Sequence, residues 1–161
     1  MIDAIIWGLT QGLTEFLPVS SSGHLVLVPA LLNRASPDLA TAAVLHLGTL
    51  IAVLVYFRAE MMRILRLTTD GKKLLKLLVV GTIPAGVIGL IGRDALGGMA
   101  ESVRGVAFTM VLLGLGLLAT RFIPIGERTG ATLRVPDAVA IGLAQAVALI
   151  PGVSRSGSTI A

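Results

Sequence analysis

Three long apolar stretches, Asp38–Phe57, Leu74–Gly92 and Val103–Thr120, alternate with segments rich in Arg, Lys, Asp and Pro. A helix that crosses a bilayer needs about 20 mostly apolar residues, so the pattern predicts three membrane spans across 38–120. Pro84, Gly86, Gly89, Gly114 and Gly116 fall inside them. Such residues are tolerated in membrane helices, and the small ones let backbones pack closely. The start of the chain is patterned differently. Ile2–Leu13 and Leu25–Leu32 are apolar, but each is only about ten residues, roughly 15 Å of helix. Neither crosses a core of about 30 Å. Between them lies Glu15-Phe16-Leu17-Pro18-Val19-Ser20-Ser21-Ser22-Gly23-His24. The expectation for 1–32 is therefore a broken helix or a hairpin that enters and leaves on one side. Non-helical backbone at membrane depth is stable only when protein covers it or when it lines a wet cavity.

This segment recurs. Gly8-Leu9-Thr10-Gln11 aligns with Gly142-Leu143-Ala144-Gln145 at an offset of 134, and the same offset pairs Ser20 with Ser154, Ser22 with Ser156 and Gly23 with Gly157. A second hairpin is thus expected over 136–161. Three intervening spans, an odd number, invert it relative to the first. Loop charge agrees: Arg58–Lys76 carries six basic residues and Arg121–Arg134 carries three (Arg121, Arg128, Arg134), which places both loops on the cytoplasmic side. The fold class that follows is an all-α, polytopic membrane protein of a single domain over 1–161, with inverted repeats and re-entrant helical hairpins. Inverted repeats whose broken helices meet near the bilayer midplane are one way to build a binding site.

Composition supports the membrane reading. Hydrophobic residues make up 55% of the 161, charged residues 14%, and mean hydropathy is +0.92, whereas soluble domains carry about a quarter charged residues. The net charge of +4 sits in loops, where topology explains it, so nucleic acid is not an expected partner. There is no cysteine, which excludes disulfides and thiolate metal sites. The N-terminus lacks a basic stretch and a small-residue cleavage site, so a cleaved signal peptide is not expected.

Nearly every charge lies in a loop or at a segment edge; Glu15 and Arg155 are the exceptions. A lone charge at membrane depth costs roughly 3 kcal/mol or more, so such residues face a cavity and find partners. Arg155 stands in Pro151-Gly152-Val153-Ser154-Arg155-Ser156-Gly157-Ser158-Thr159. Hydroxyls and glycine-flanked N–H groups ahead of a helix start make an anion cradle, and a guanidinium adds a two-pronged donor suited to phosphate. Helix capping explains one of these hydroxyls, but not an arginine among four. In the first break Gln11 and Glu15, four apart, share a helical face. A carboxylate there can hold a divalent cation or act as a general base. His24 can exchange a proton near neutral pH, and a serine beside such a base is a nucleophile candidate. His46, in Leu45-His46-Leu47-Gly48-Thr49, reads as a packing histidine because no second polar cluster surrounds it. A carboxylate–Ser–His loop opposite an Arg–Ser loop suits a phosphorylated amphiphile.

The residues from Gln11 to His24 resemble the E/Q-x-x-x-E and P-[IV]-S-S-[ST]-G-H signatures of the undecaprenyl-diphosphate phosphatases, also called bacitracin-resistance proteins. Pro151–Gly157 is similar to that family's P-G-x-S-R-S-G signature. The resemblance implies a multi-pass enzyme of the bacterial plasma (inner) membrane. It would hydrolyse undecaprenyl diphosphate to the monophosphate, recycling the lipid carrier of peptidoglycan synthesis and conferring bacitracin resistance. It implies a divalent cation, Mg2+ or Ca2+, near Gln11 and Glu15, with Gln11 standing where many members carry Glu. It makes Ser21 the attacking group, His24 the alternative nucleophile or acid–base, and Ser154 and Arg155 ligands of the diphosphate. Ser20, Ser22, Gly23, Ser156 and Gly157 complete the expected substrate contacts. Polyprenyl diphosphate and the bilayer are the implied partners, with a homodimer left open. Members of the family are longer, so the resemblance also implies a fragment that stops within the second hairpin. The rival reading is a transporter or flippase of an anionic lipid, which inverted repeats and a midplane arginine would also suit. Lipid phosphatases built on two histidines share only the Ser-Gly-His echo, and an inert scaffold leaves Glu15 and Arg155 unexplained.

Overall fold

The computed structural model describes residues 1–100, 102–122 and 132–160. Arg128 and Ala161, to which the sequence assigned loop charge and the end of the second hairpin, lie outside the described residues. The described residues fold into helices α1 (Ile2–Thr14), α2 (Ser21–Leu31), α3 (Leu39–Tyr56), α4 (Arg58–Leu65), α5 (Thr69–Ile91), α6 (Arg93–Ala100), α7 (Val103–Thr120), α8 (Val135–Val147) and α9 (Arg155–Ile160). No strand occurs among them. Helices α3, α5 and α7 are long and apolar enough to cross a membrane, with mean hydropathies of 2.1, 2.2 and 1.8, and only 6% of each apolar window is buried inside the protein. Most of their leucines and valines, and Phe108, thus face outward, where acyl chains would replace the partners a soluble core supplies, while Leu77 and Val106 are buried. This is the all-α polytopic membrane protein that the pattern predicts.

Capping fixes the helix starts. Asp38 accepts from the Thr41 amide at 2.8 Å to open α3, Thr68 from Gly71 at 3.3 Å to open α5, and Ser102 from Gly105 at 3.1 Å to open α7. Three expectations are corrected. The second predicted span starts at Thr69 rather than Leu74, because the Thr68 cap opens the helix ahead of Asp70, Lys72 and Lys73. The stretch Arg58–Lys76 is largely helical rather than a loop: α4 occupies its first half and is joined to α5 by a short turn with Leu67 at φ 51°. Finally, α2 begins at Ser21, not near Leu25, so Ser21–His24 form its first turn and the break shrinks to Glu15–Ser20.

Helix α5 packs most extensively against α8. Gly81 and Gly142 meet backbone to backbone: a Cβ added to Gly142 would lie 2.3 Å from the Gly81 carbonyl oxygen. Ala138, Gly142 and Ala146 repeat every four residues and are all buried, a small-residue face of the kind that lets membrane helices touch. Helices α1 and α2 pack on each other, α2 packs on α7, α1 on α3 and α8 on α9. The two polar breaks are linked by a hydrogen bond from Ser156 to the Leu17 carbonyl, and Thr109 on α7 holds the second by the Pro151 carbonyl.

Candidate active site

Local hydrogen bonding is the same at both breaks. Ser20 and Ser154 are buried, and their hydroxyls accept from the amides of Gly23 (3.3 Å) and Gly157 (3.0 Å). Each also meets the serine two residues on, Ser22 at 3.4 Å and Ser156 at 2.9 Å. Ser21 and Arg155, at corresponding positions, therefore open α2 and α9. The first break holds its shape at a conformational cost. Ser20 sits at φ 65°, ψ 94°, and a non-glycine residue there stores of order 1–3 kcal/mol. Ser156 ties the breaks together directly, its hydroxyl donating to the Leu17 carbonyl at 2.7 Å.

Between them lies a polar cavity of about 80 Å³ lined by Glu15, Ser20, Ser21, Ser22, His46, Ser154, Arg155 and Ser156, with Ala148 and Val153. The Glu15 carboxylate is its centre. Oε2 accepts from the Ser21 hydroxyl at 2.5 Å and from Gln11 Nε2 at 2.8 Å. A carboxylate only accepts, so the Gln11 amide must turn its nitrogen toward Glu15. That leaves Gln11 Oε1 buried without a hydrogen-bond partner among the described residues, on a side chain only 1% exposed. Arg155 lines the same cavity, yet among the described residues no ion pair within 4.0 Å joins it to Glu15. The two charges thus converge without neutralising each other by contact.

A groove of about 470 Å³ shares Glu15, His46 and Arg155 with this cavity and adds Phe16, Ala43, Leu47, Thr49, Leu50 and Val53. It gives the polar centre an apolar annex.

Of the residues singled out from sequence, Gln11, Glu15, Ser20, Ser21, Ser22, Ser154, Arg155 and Ser156 gather at this centre, and Gly23 and Gly157 supply the capping amides. His24 does not line the cavity. Its Nδ1 lies 2.8 Å from the Ser20 carbonyl, which fixes that nitrogen as the donor and turns the ring to the loop backbone. His46, read from sequence as packing, is at the centre instead. Its Nδ1 donates to the Ala42 carbonyl at 2.8 Å, and Nε2 lies 3.9 Å from Glu15 Oε2. Thr49 joins it, accepting from Gln11 Nε2 at 3.4 Å. The missed signal was their spacing. His46 and Thr49, three apart, share one face of a span that is otherwise apolar, and polar groups in lipid-embedded helices turn inward.

The family model for the bacitracin resistance protein BacA matches residues 4–161. The chain belongs to this family. Curated BacA-family relatives bear the name undecaprenyl-diphosphatase. The protein from Marinobacter nauticus is 41% identical over 169 residues, covering 99% of this chain and 64% of the relative. The one from Desulforudis audaxviator is 45% identical over 166 residues, covering 99% and 63%. Undecaprenyl-diphosphatase 3 of Frankia alni is 42% identical over 181 residues, covering 98% and 61%. The chain therefore spans about three-fifths of the length of these BacA-family relatives.

Proposed function

We propose that this chain carries the catalytic centre of an undecaprenyl-diphosphate phosphatase in the bacterial inner membrane. One observation carries the reading: the Ser21 hydroxyl donates to Glu15 at 2.5 Å within a cavity whose other wall holds Arg155. The order of events follows from the groups. Arg155, with the serine hydroxyls of both breaks, binds the diphosphate, and the apolar groove along Phe16, Leu47 and Leu50 takes the first isoprenyl units. Glu15 accepts the Ser21 proton as Oγ attacks the distal phosphorus. The P–O–P bond breaks, and undecaprenyl phosphate leaves with the bridging oxygen. Glu15 gives the Ser21 proton to the departing undecaprenyl phosphate, and the freed carboxylate then takes a proton from the water that attacks the phosphoserine and passes it to Ser21 Oγ as inorganic phosphate leaves. His24 acts at one remove, by holding the Ser20 carbonyl.

The donor set also fits a divalent cation. Gln11 Oε1 is buried and unpartnered beside a carboxylate, and hard cations take oxygen ligands. Among the described residues no cluster of three or more acidic, His or Cys side chains exists. Mg2+ is commonly held by one or two carboxylates with substrate phosphates and water. Gln11 and Glu15 would hold Mg2+ or Ca2+, which when bound supplies positive charge to the diphosphate oxygens. The product would serve as lipid carrier for peptidoglycan synthesis, and its recycling would oppose bacitracin. A transport role is not favoured, since the relatives are named for diphosphatase activity.

The test is phosphate release from undecaprenyl diphosphate by the purified full-length protein. Ser21→Ala is expected to lower kcat by on the order of 10³ or more. Arg155→Ala should weaken substrate use by about 10- to 100-fold, the scale of lost charge-assisted hydrogen bonds. Undiminished release by Ser21→Ala would remove the nucleophile assignment.

A further inference from the structure

Helix α7 contributes no side chain to the cavity, yet Thr109 on it reaches the second break and Met110 lies against the first turn of α2. Thr109 Oγ1 lies 2.6 Å from the Pro151 carbonyl and 2.9 Å from the Val106 carbonyl of its own helix. A hydroxyl has one proton. The local bond is the default for a helical threonine, and the shorter contact here goes to a loop 42 residues away. The loop comes close because the next residue is Gly152, at φ +92°. A Cβ there would lie 2.0 Å from Thr109 Oγ1 and 2.7 Å from the Val106 carbonyl oxygen. Met110 lies against the first turn of α2: its Sδ is 2.4 Å from where a Cβ on Gly23 would be.

From Gly152 to Arg155 the chain has little slack. The Val153 amide donates to the Ile150 carbonyl at 3.0 Å, and Ser154 is buried and bonded to both Ser156 and Gly157. A displacement of the Pro151–Gly152 turn is therefore carried to Arg155 rather than absorbed. We propose that Thr109 is a positioning residue: by holding the Pro151 carbonyl it sets where the Arg155 guanidinium stands opposite Ser21 and Glu15. The proposal rests on the phosphatase reading for its kinetic signature only.

The experiment compares Thr109→Val, which keeps the shape and loses the hydroxyl, with Thr109→Ser, which keeps the hydroxyl. Both are made in the full-length protein, alone and with Arg155→Lys. Thr109→Val should raise KM, and raise the dissociation constant of a non-hydrolysable methylenediphosphonate analogue, by roughly three- to tenfold, with kcat changed less. Thr109→Ser should stay within about twofold of the parent. In the Arg155→Lys background the Thr109→Val effect should shrink to under about twofold, because residues acting through one group are not additive. Thr109→Val matching the parent, Thr109→Ser failing as badly as Thr109→Val, or a full Thr109→Val effect beside Arg155→Lys would each overturn the assignment. A parent protein that releases no phosphate would overturn the phosphatase reading alone, and the analogue binding series would still decide the role of Thr109.

Discussion

Gly142→Ala should loosen the α5–α8 contact that carries the second break. The added methyl would stand 2.3 Å from the Gly81 carbonyl oxygen and 3.0 Å from both the Gly81 carbonyl carbon and Pro84 Cδ, against 3.4–4 Å for ordinary contact. The obstacle is mainly backbone, so no rotamer change relieves it and the helices must part by about 1 Å. Overpacking costs typically 1–3 kcal/mol, and parting adds lost dispersion at about 0.1–0.2 kcal/mol per atom pair. Against this, alanine gains up to about 1 kcal/mol over glycine inside a helix. The clash wins, by a net 1–3 kcal/mol or so. Gly114 is the control. It sits mid-helix in α7 with nothing within 4 Å of its added Cβ, so Gly114→Ala gets the propensity gain without the clash. Thermal unfolding in detergent micelles, followed by helical circular dichroism, should put Gly142→Ala roughly 3–10 °C below the parent and Gly114→Ala at or above it. Because α8 leads into the Arg155 loop, phosphate release should fall with Gly142→Ala as well. A Gly142→Ala protein as stable as Gly114→Ala would refute the backbone contact and the placement of α8 that depends on it.

Glu15→Gln keeps the shape and the hydrogen-bonding reach of the side chain but removes its charge and its basicity; kcat should fall by about 10²–10⁴, the usual worth of a positioned general base, in the same phosphate-release assay. Rapid acid quenching during turnover of labelled substrate should trap a phosphoenzyme that survives acid and is lost in base, as a phosphoserine does; the opposite stability would move the attack from Ser21 to His24. Removing divalent cations with a chelator should abolish phosphate release, and Gln11→Glu should lower the concentration of Mg2+ needed to restore it, because a second carboxylate strengthens an oxygen site.

The parts of this fold that sequence makes legible are those that depend on local chemistry. The limits of α7 follow from an apolar run bounded by Ser102 and Arg121. Arms too short to span place a break at Glu15, and charge at membrane depth singles out Glu15 with Arg155. Tertiary contact decides what was not legible. His46 and Thr49 differ from a packing pair only because α3 lies against α1, which turns them toward Gln11 and Glu15. The repeat behaves similarly. Gly8 and Gly142 correspond in sequence, but nothing lies within 4 Å of a Cβ on Gly8 while Gly142 is pressed against Gly81. Sequence identity at equivalent positions does not carry packing with it. The start of α2 at Ser21 was hidden because a run of serines reads as loop until one of them, Ser20, is seen to cap.

The spacing of Glu15 and Arg155 distinguishes a functional pair of charges from a structural one. Two opposite charges in a low-dielectric interior attract strongly, and a contact ion pair would satisfy both while leaving neither free to bind an anion. Here the carboxylate is satisfied by other groups: the Ser21 hydroxyl and the Gln11 amide both donate to the same oxygen. The guanidinium is held by backbone that is itself pinned, through Ser156 to the Leu17 carbonyl and through Thr109 to the Pro151 carbonyl. Among the described residues the fold thus keeps Arg155 out of contact ion pairing with Glu15. An anion entering between the two finds a guanidinium not tied up in a contact pair with Glu15, and a serine already hydrogen-bonded to the carboxylate that takes its proton in the proposed mechanism.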